Sequence, residues 1–280
     1  MEGIIKAVCI SEKRGTVKKN INEVNVIKDF GLEGDAHAGK WHRQVSFLSA
    51  DIVDEFNEKG ASVIEGDFGE NILAYGIDFK KLPVGTKLIC NDAKFEITQI
   101  GKECHSHCEI YKRVGDCIMP REGIFAKVLE SGTINVGDKI EVIYPEKDMP
   151  YMAAVMTLSD KGSRGERVDT SGPRAAEILK EHGFKIVEEI LLPDEEAQIK
   201  NLLIRLSDSR QVDLIITTGG TGLSPRDRTP EATLAVADRN VPGISEAIRA
   251  GSMTITKRAM LSRGVSVIRK KTLIINLPGS

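Results

Sequence analysis

Short apolar runs separated by glycine-bearing turns fill the first half of the chain. They fall at Ile4–Ile10, Gln44–Leu48, Lys87–Cys90, Phe95–Ile100, Ile124–Leu129 and Lys139–Ile143. Runs of this length, bounded by turn residues, predict strands. Leu82-Pro-Val-Gly-Thr-Lys-Leu88 and Ile134-Asn-Val-Gly-Asp-Lys-Ile140 are two similar glycine turns, each feeding an apolar strand. One helix is expected over Ala50–Lys59, with Asp51, Asp54 and Glu55 outward and Gly60 as its stop. Many short strands with few helices predict a closed or strongly curved sheet, a mostly-β barrel, over residues 1–144.

The pattern changes after Tyr144-Pro-Glu-Lys-Asp-Met-Pro150, whose prolines and charges mark residues 145–150 as a linker. Met152–Leu158 reads as a strand, Pro173–His182 as a helix closed by Gly183, and Phe184–Leu191 as a strand. Asp194–Leu206 reads as a helix and Val212–Thr218 as a strand. Strands alternating with amphipathic helices predict an α/β domain over 151–280 with a mostly parallel sheet and right-handed crossovers. A parallel strand ending in Pro278-Gly-Ser280 would ordinarily feed another helix, so the second domain is expected to be short at its C-terminus.

The second half is organised around residues 217–233, TTGGTGLSPRDRTPEAT. Gly219, Gly220 and Gly222 give a backbone free to take positive φ and to let a ligand approach. Ser224, Arg226, Asp227 and Arg228 follow, and Thr229-Pro-Glu231 opens a helix with a hydroxyl cap, a proline and an acid. Strand, glycine turn, charged loop and helix start make an anion site at a sheet's carboxyl edge. The loop is neither a Walker loop nor GxGxxG, because no Gly-Lys-Ser/Thr follows the glycines. Ser159 and Asp160 end the first strand of this half and Asp194 the second, so the sheet would bring them beside the loop. Two readings stay open for the acids. Asp194 can be a helix cap and Asp227 a partner of Arg226 or Arg228, or both can bind a divalent cation and orient phosphates.

Composition narrows the classes. Lys and Arg number 39 against 41 Asp and Glu, a net charge of −2, which argues against bulk nucleic-acid or anionic-membrane binding. No apolar run reaches the ~18–20 residues of a spanning helix, and the N-terminus lacks a signal peptide's basic and apolar regions. A cytoplasmic protein is the expectation. Of the five cysteines, Cys104, Cys108 and Cys117 crowd one stretch, which in a reducing compartment suggests a metal or a reactive thiol.

The 217–233 stretch resembles the signature of the MogA/MoaB family, which includes molybdopterin adenylyltransferases and the G domain of gephyrin. The likeness runs on through TLAVADRNVPGISEAIR and LSRGVSVIRKKTLIINLPG, and upstream through LSDKGSRGERVDTSGP. It implies transfer of an adenylyl group from ATP to molybdopterin, releasing pyrophosphate, with Mg²⁺ held at Asp194 and Asp227. Ser159, Asp160, Gly219, Gly220, Thr221, Gly222, Ser224, Arg226 and Arg228 would bind the substrates, and the protein would form a homotrimer.

In the first half, GLEGDAHAG (31–39) with Arg43-Gln-Val-Ser46, GDFGEN (66–71) and GIFA (123–126) together resemble the MOSC domain, a β-barrel module of molybdenum cofactor proteins. That resemblance places a sulfur-carrying cysteine after the Phe95–Ile100 strand, where Cys108 fits, and implies a sulfur donor or a molybdoenzyme as partner. A carrier needs a thiolate, which Lys102, His105 or His107 nearby would favour. Cys104, His105, His107, Cys108 and Cys117 can instead form a thiophilic metal site, or the thiols can be buried and inert. The carrier and metal readings separate by electrophile labelling at neutral pH. A carrier makes Cys108 label fastest and Cys9 and Cys90 slowest. Protection of Cys104, Cys108 and Cys117 until a chelator is added, with about one zinc per chain, is the metal outcome.

Overall fold

A computed structural model describes residues 1–102, 111 and 115–279. The backbone divides into two compact units, Met1–Lys147 and Asp148–Ser280. The sequence-expected Cys104, His105, His107 and Cys108 lie outside the described residues.

The first unit is a closed barrel. Its strands are β1 (Glu2–Ile10), β5 (Val45–Ser49), β6 (Ile72–Tyr75), β7 (Lys87–Cys90), β8 (Ala93–Ile100), β9 (Ile124–Glu130) and β11 (Lys139–Ile143). They run in the order β11-β7-β8-β9-β5-β6-β1, and β1 pairs back onto β11, so the seven-strand circuit has no free edge. Within this circuit, among the described residues, only β5 and β6 pair in parallel. The two similar glycine turns lead into β7 and β11, strands that pair with each other, and Gly85 and Gly137 both take φ 92°. Beside the barrel, β2 (Lys19–Asn20) extends β1, and β3 (Glu23–Ile27), β4 (Gly31–Leu32) and β10 (Gly132–Asn135) form a small sheet.

Packing explains the patterns. β3 and β11 alternate exposed and buried residues, the mark of one covered face, whereas all five residues of β5 are buried. Phe47 of β5 faces inward, with ring centroids 5.6 Å from Phe79 and 5.3 Å from Phe95. Leu48 faces outward, packed with Val53 and Phe56 of the helix Ala50–Glu58.

The second unit is an α/β domain whose sheet is mixed and mostly parallel. Its strands are β12 (Met152–Leu158), β13 (Lys185–Leu192), β14 (Leu214–Thr218), β15 (Arg239–Asn240), β16 (Ser266–Arg269) and β17 (Thr272–Leu277), in the order β13-β12-β14-β17-β16-β15. The first four are parallel, and β16 runs antiparallel to both its neighbours; a tight turn at Lys270, φ 50°, joins it to β17. The helix Glu196–Ile204 buries Ile199 and Leu203 on one face of the sheet. The helix Ser171–Glu181 lays Ala175 and Leu179 against Ala153 and Ile216 on the other.

Two element expectations shift. The helix expected over Asp194–Leu206 begins at Glu196 and passes at Arg205–Ser209 into a wider π-type turn. The helix at Thr229–Ala235 starts with Thr229 already inside it. Its hydroxyl makes no cap; Oγ1 is buried without a hydrogen-bond partner among the described residues.

Asn276 ties this unit's centre together. Its side chain is buried and donates to Thr217 Oγ1 at 2.9 Å on β14 and to Thr233 Oγ1 at 3.0 Å on the helix Thr229–Ala235. Asn276→Leu leaves both hydroxyls short of a partner and should cost about 1–3 kcal/mol. The urea midpoint of the second unit's transition should fall accordingly; an unchanged midpoint would show that the hydroxyls find other partners.

Candidate functional site

Parallel pairing brings together residues far apart in sequence. β12 ends at Leu158, β13 at Leu192 and β14 at Thr218, and their carboxyl ends open on one cavity of about 740 Å³. Ser159, Asp160, Asp194, Gly219, Gly220, Thr221, Gly222 and Asp227 all line it. Asp160 and Asp194 bind reciprocally: the Asp160 N–H donates to Asp194 Oδ2 at 3.2 Å, and the Asp194 N–H donates to Asp160 Oδ1 at 3.0 Å. Asp194 therefore does not cap the following helix. Its other oxygen, Oδ1, is buried and has no hydrogen-bond partner among the described residues. That atom would stand 2.7 Å from a Cβ at Gly220, so the glycine leaves the space beside it open.

The electrostatics single out the same residue. Burial raises the Asp194 carboxyl above the usual range, and the negative charges of Asp160 and Asp227 add to the shift. Asp160 moves the other way because Arg226 holds it, Nε to Oδ2 at 3.0 Å and Nη2 to Oδ1 at 2.8 Å. Asp227 pairs with neither neighbouring arginine. Its Oδ2 accepts from the Ser224 N–H at 2.9 Å, a turn that closes the loop on itself.

The remaining expected residues sit outside the cavity lining. Arg226 binds Asp160 and also Glu195 at 2.9 Å, and Arg228 binds Glu196 at 2.7 Å. The Ser224 hydroxyl accepts from the Arg226 N–H at 3.2 Å. Ser159 lines the cavity but spends its Oγ on the Gly162 N–H at 3.0 Å, capping the short helix Asp160–Ser163.

Sequence reasoning missed several groups here. Lys161, Arg167 and Arg258 line the cavity and supply its positive charge, and Val168, Ile255 and Leu261 give it an exposed apolar rim. Asp169 also lines it, accepting from the N–H groups of Ser171 at 3.0 Å and Gly172 at 3.1 Å. The string VDTSGP holds a signal for Asp169, an acid just ahead of a helix start. No local spacing marks the three cations. Among the described residues no group of three or more His, Cys, Asp or Glu side chains is placed to hold a metal.

In the barrel, the glycine-spaced loop carries Asp35 into a buried polar cluster. Lys18 Nζ donates to both Asp35 oxygens at 2.7 Å, with 2% and 0% of the two side chains exposed. Asn71 Nδ2 donates to Asp35 Oδ2 at 3.1 Å and to the Cys9 carbonyl at 3.0 Å, and the Ser11 N–H donates to Asp35 Oδ1 at 3.1 Å. His37 Nδ1 stands 3.9 Å from Asp35. Glu70 accepts from the Gly66 N–H at 2.7 Å, and its Oε2 is buried without a partner among the described residues. Burial pushes the Cys9 and Cys90 thiols up to about 12, and Cys117 is buried as well.

A closed barrel carrying this cluster and an α/β unit that opens an acid-lined cavity at its sheet edge make a two-domain protein. Comparison with known proteins gives the family. Residues 34–141 match the MOSC domain, and residues 154–280 match the family described as a probable molybdopterin binding domain. The chain is 45% identical over 128 residues to the molybdopterin adenylyltransferase of Escherichia coli K12, spanning 45% of this chain and 65% of that protein. It is 42% identical over 127 residues to the molybdopterin adenylyltransferase of Helicobacter pylori J99, spanning 45% of this chain and 72% of that protein. It is also 38% identical over 145 residues to gephyrin of Dictyostelium discoideum, spanning 48% of this chain and 20% of that protein. The chain belongs to the MogA/MoaB family through its second unit, with a MOSC domain joined ahead of it. No helix among the described residues is long and apolar enough to cross a membrane.

Glu70 gives the barrel a pH signature. Burial, outweighing the backbone N–H groups of Gly66, Glu70 and Phe68, pushes its carboxyl up to about 7. An unfolded glutamate ionises near ~4.3. The folded state therefore keeps a proton that the unfolded state loses. Glu70 favours folding fully below pH ~4.3, and that contribution drains away as pH rises through about 7. Glu70→Gln should remove this slope, so urea midpoints taken at pH 5 and pH 8 should draw closer together than in the wild type. Parallel pH profiles would place Glu70 in a different protonation state.

Proposed function

We propose that the second unit binds molybdopterin and adenylylates it with ATP, releasing pyrophosphate, and that the MOSC unit handles sulfur or molybdenum cofactor for the same chemistry. The observation that carries the first half is Asp194 Oδ1, a buried carboxylate oxygen without a partner, facing the glycine loop of the acid-lined cavity. The names of the relatives supply the substrates. The matches to the second unit point to molybdenum cofactor biosynthesis, and the role given to the MOSC unit is part of the proposal.

The chain's own groups do recognisable work in this reading. Backbone N–H groups of Gly220, Thr221 and Gly222 hold phosphate oxygens, and Lys161, Arg167 and Arg258 balance their charge. The exposed rim of Val168, Ile255 and Leu261 accepts the apolar face of a ring. An acceptor oxygen forms its bond to the α-phosphorus as the bond to pyrophosphate breaks. Positioning and electrostatics supply most of the rate. Asp194 and Asp227 would hold Mg²⁺, which neutralises phosphate charge when bound. The residues fit a cation: Asp194 keeps a buried oxygen without a partner among the described residues, and the charge of Asp227 adds to the raising of its carboxyl, so a divalent ion there would relieve it.

One observation favours a second reading, a protein that binds molybdopterin without turning over ATP. Arg226 and Arg228 are engaged by acids and do not line the cavity. Pyrophosphate release from ATP in the presence of molybdopterin decides between the two. For the catalytic reading, Asp227→Asn should cut that release by about 10²–10³. Folding should hold, since the amide oxygen can still accept from the Ser224 N–H. Wild-type turnover in the variant would mean that Asp227 lies outside the reacting centre.

A further inference from the structure

Arg263 lies between the site loop and a second cavity of about 420 Å³, which it lines together with Arg249, Ser245 and Leu234. It is absent from the lining of the acid-lined cavity, so it reaches the loop from behind. Its guanidinium uses all three nitrogens on that loop. Nε donates to the Gly222 carbonyl at 2.6 Å, Nη2 donates to the Asp227 carbonyl, and Nη1 pairs with the Glu231 carboxylate. Its backbone N–H donates to the Thr221 carbonyl at 2.9 Å. One residue thus grips both ends of the Gly222–Asp227 turn and the first turn of the helix that follows.

A trans peptide points its C=O and N–H in opposite directions. Holding the carbonyls of Thr221, Gly222 and Asp227 on the Arg263 side therefore turns the N–H groups of Gly222, Leu223 and Arg228 away from it. We infer that Arg263 is a positioning residue: it fixes the backbone orientation of the 219–231 segment that presents the glycine amides and Asp227 to the cavity. The planar fork suits the task, because a lysine offers one nitrogen where three separated acceptors must be held. The loop's own arginines cannot substitute, since Arg226 and Arg228 are engaged by Asp160, Glu195 and Glu196.

This inference rests on the adenylyl-transfer reading for its kinetic consequence, though not for its structural one. The test uses the full chain as wild type, Arg263→Ala, Arg263→Lys and Arg269→Ala. Arg269 is a matched control: on β16 it binds both oxygens of Asp208, at 2.9 and 2.6 Å, and the Val236 carbonyl at 2.9 Å, yet it does not line the acid-lined cavity. Two quantities are read, the KM for ATP in pyrophosphate release and the hydrogen exchange of amides 219–231. Arg263→Ala should raise KM and speed exchange in that segment, each about tenfold or more, with Arg263→Lys in between. Arg269→Ala should lower Tm without doing either. Wild-type KM and exchange in Arg263→Ala overturn the inference, as does an equal KM rise in Arg269→Ala. If the wild type itself releases no pyrophosphate, the adenylyl-transfer reading fails, and the exchange comparison alone decides the role of Arg263.

Discussion

The second unit's site depends on a close approach of backbones that only glycine permits. Gly219 takes φ 100°, and a Cβ there would stand 2.3 Å from the Leu158 carbonyl at the end of β12. At Gly220, φ 61°, a Cβ would stand 2.2 Å from Thr229 Oγ1 and 2.7 Å from Asp194 Oδ1. Three elements therefore meet where side chains are missing: the end of β12, the Asp194 corner after β13 and the start of the helix Thr229–Ala235. Any side chain at either glycine would push them apart, and the reciprocal Asp160–Asp194 hydrogen bonds could not close as they do. The reach of the site, from residue 158 to residue 229, follows from two missing methyl groups.

The same crowding sorts the charges. Arginines approach the loop from the front and from behind, and each is matched to particular acceptors. Arg226 satisfies Asp160 and Glu195, Arg228 satisfies Glu196, and Arg263 satisfies Glu231 and two carbonyls. Asp194, beside them, receives no cation among the described residues, and its Oδ1 is buried without a hydrogen-bond partner there, as is Glu231 Oε2. Exposed ion pairs of this type contribute little stability each. Here they tie a loop that has glycine at three of its first four positions to the elements around it.

Much of this was legible in the chain, and what was not has physical reasons. The barrel, the α/β unit and the convergence of Asp160, Asp194 and Asp227 follow from periodicity and from the rule that parallel strands share a carboxyl edge. Strands β3, β6 and β10 were not singled out. Ile72–Tyr75 and Gly132–Asn135 are only four residues long, and Glu23–Ile27 alternates with polar residues that hide its apolar face. The Thr229 hydroxyl reads as a cap in sequence, yet the helix starts one residue early and buries it. Arg263 sits 41 residues from Gly222, and nothing in its local string names its partners, since a side chain's acceptors are set by tertiary placement. The barrel cluster was legible as the glycine-spaced loop around Asp35 and the GDFGEN string that holds Glu70 and Asn71. Lys18, the buried partner of Asp35, stands in a loop whose other lysines and arginine read as an ordinary solvated surface.

The two units place carboxylates in opposite circumstances. In the barrel, Asp35 is buried with its charge answered by Lys18, and its remaining acceptor capacity goes to Asn71 and the Ser11 N–H. Removing one partner of such a pair is costly, while the intact pair is chemically quiet. Glu70 lacks a direct cation and holds its proton up to about 7, the other way a buried acid reaches neutrality. Asp194 does neither. It is partly buried, repelled by two neighbouring acids and bound through only one oxygen, at the mouth of a cavity with cations on its wall. An acid kept in that state stores interaction energy that a ligand or cation can release on binding, and this is the physical ground on which the proposed chemistry is assigned to the cavity edge and not to the barrel cluster.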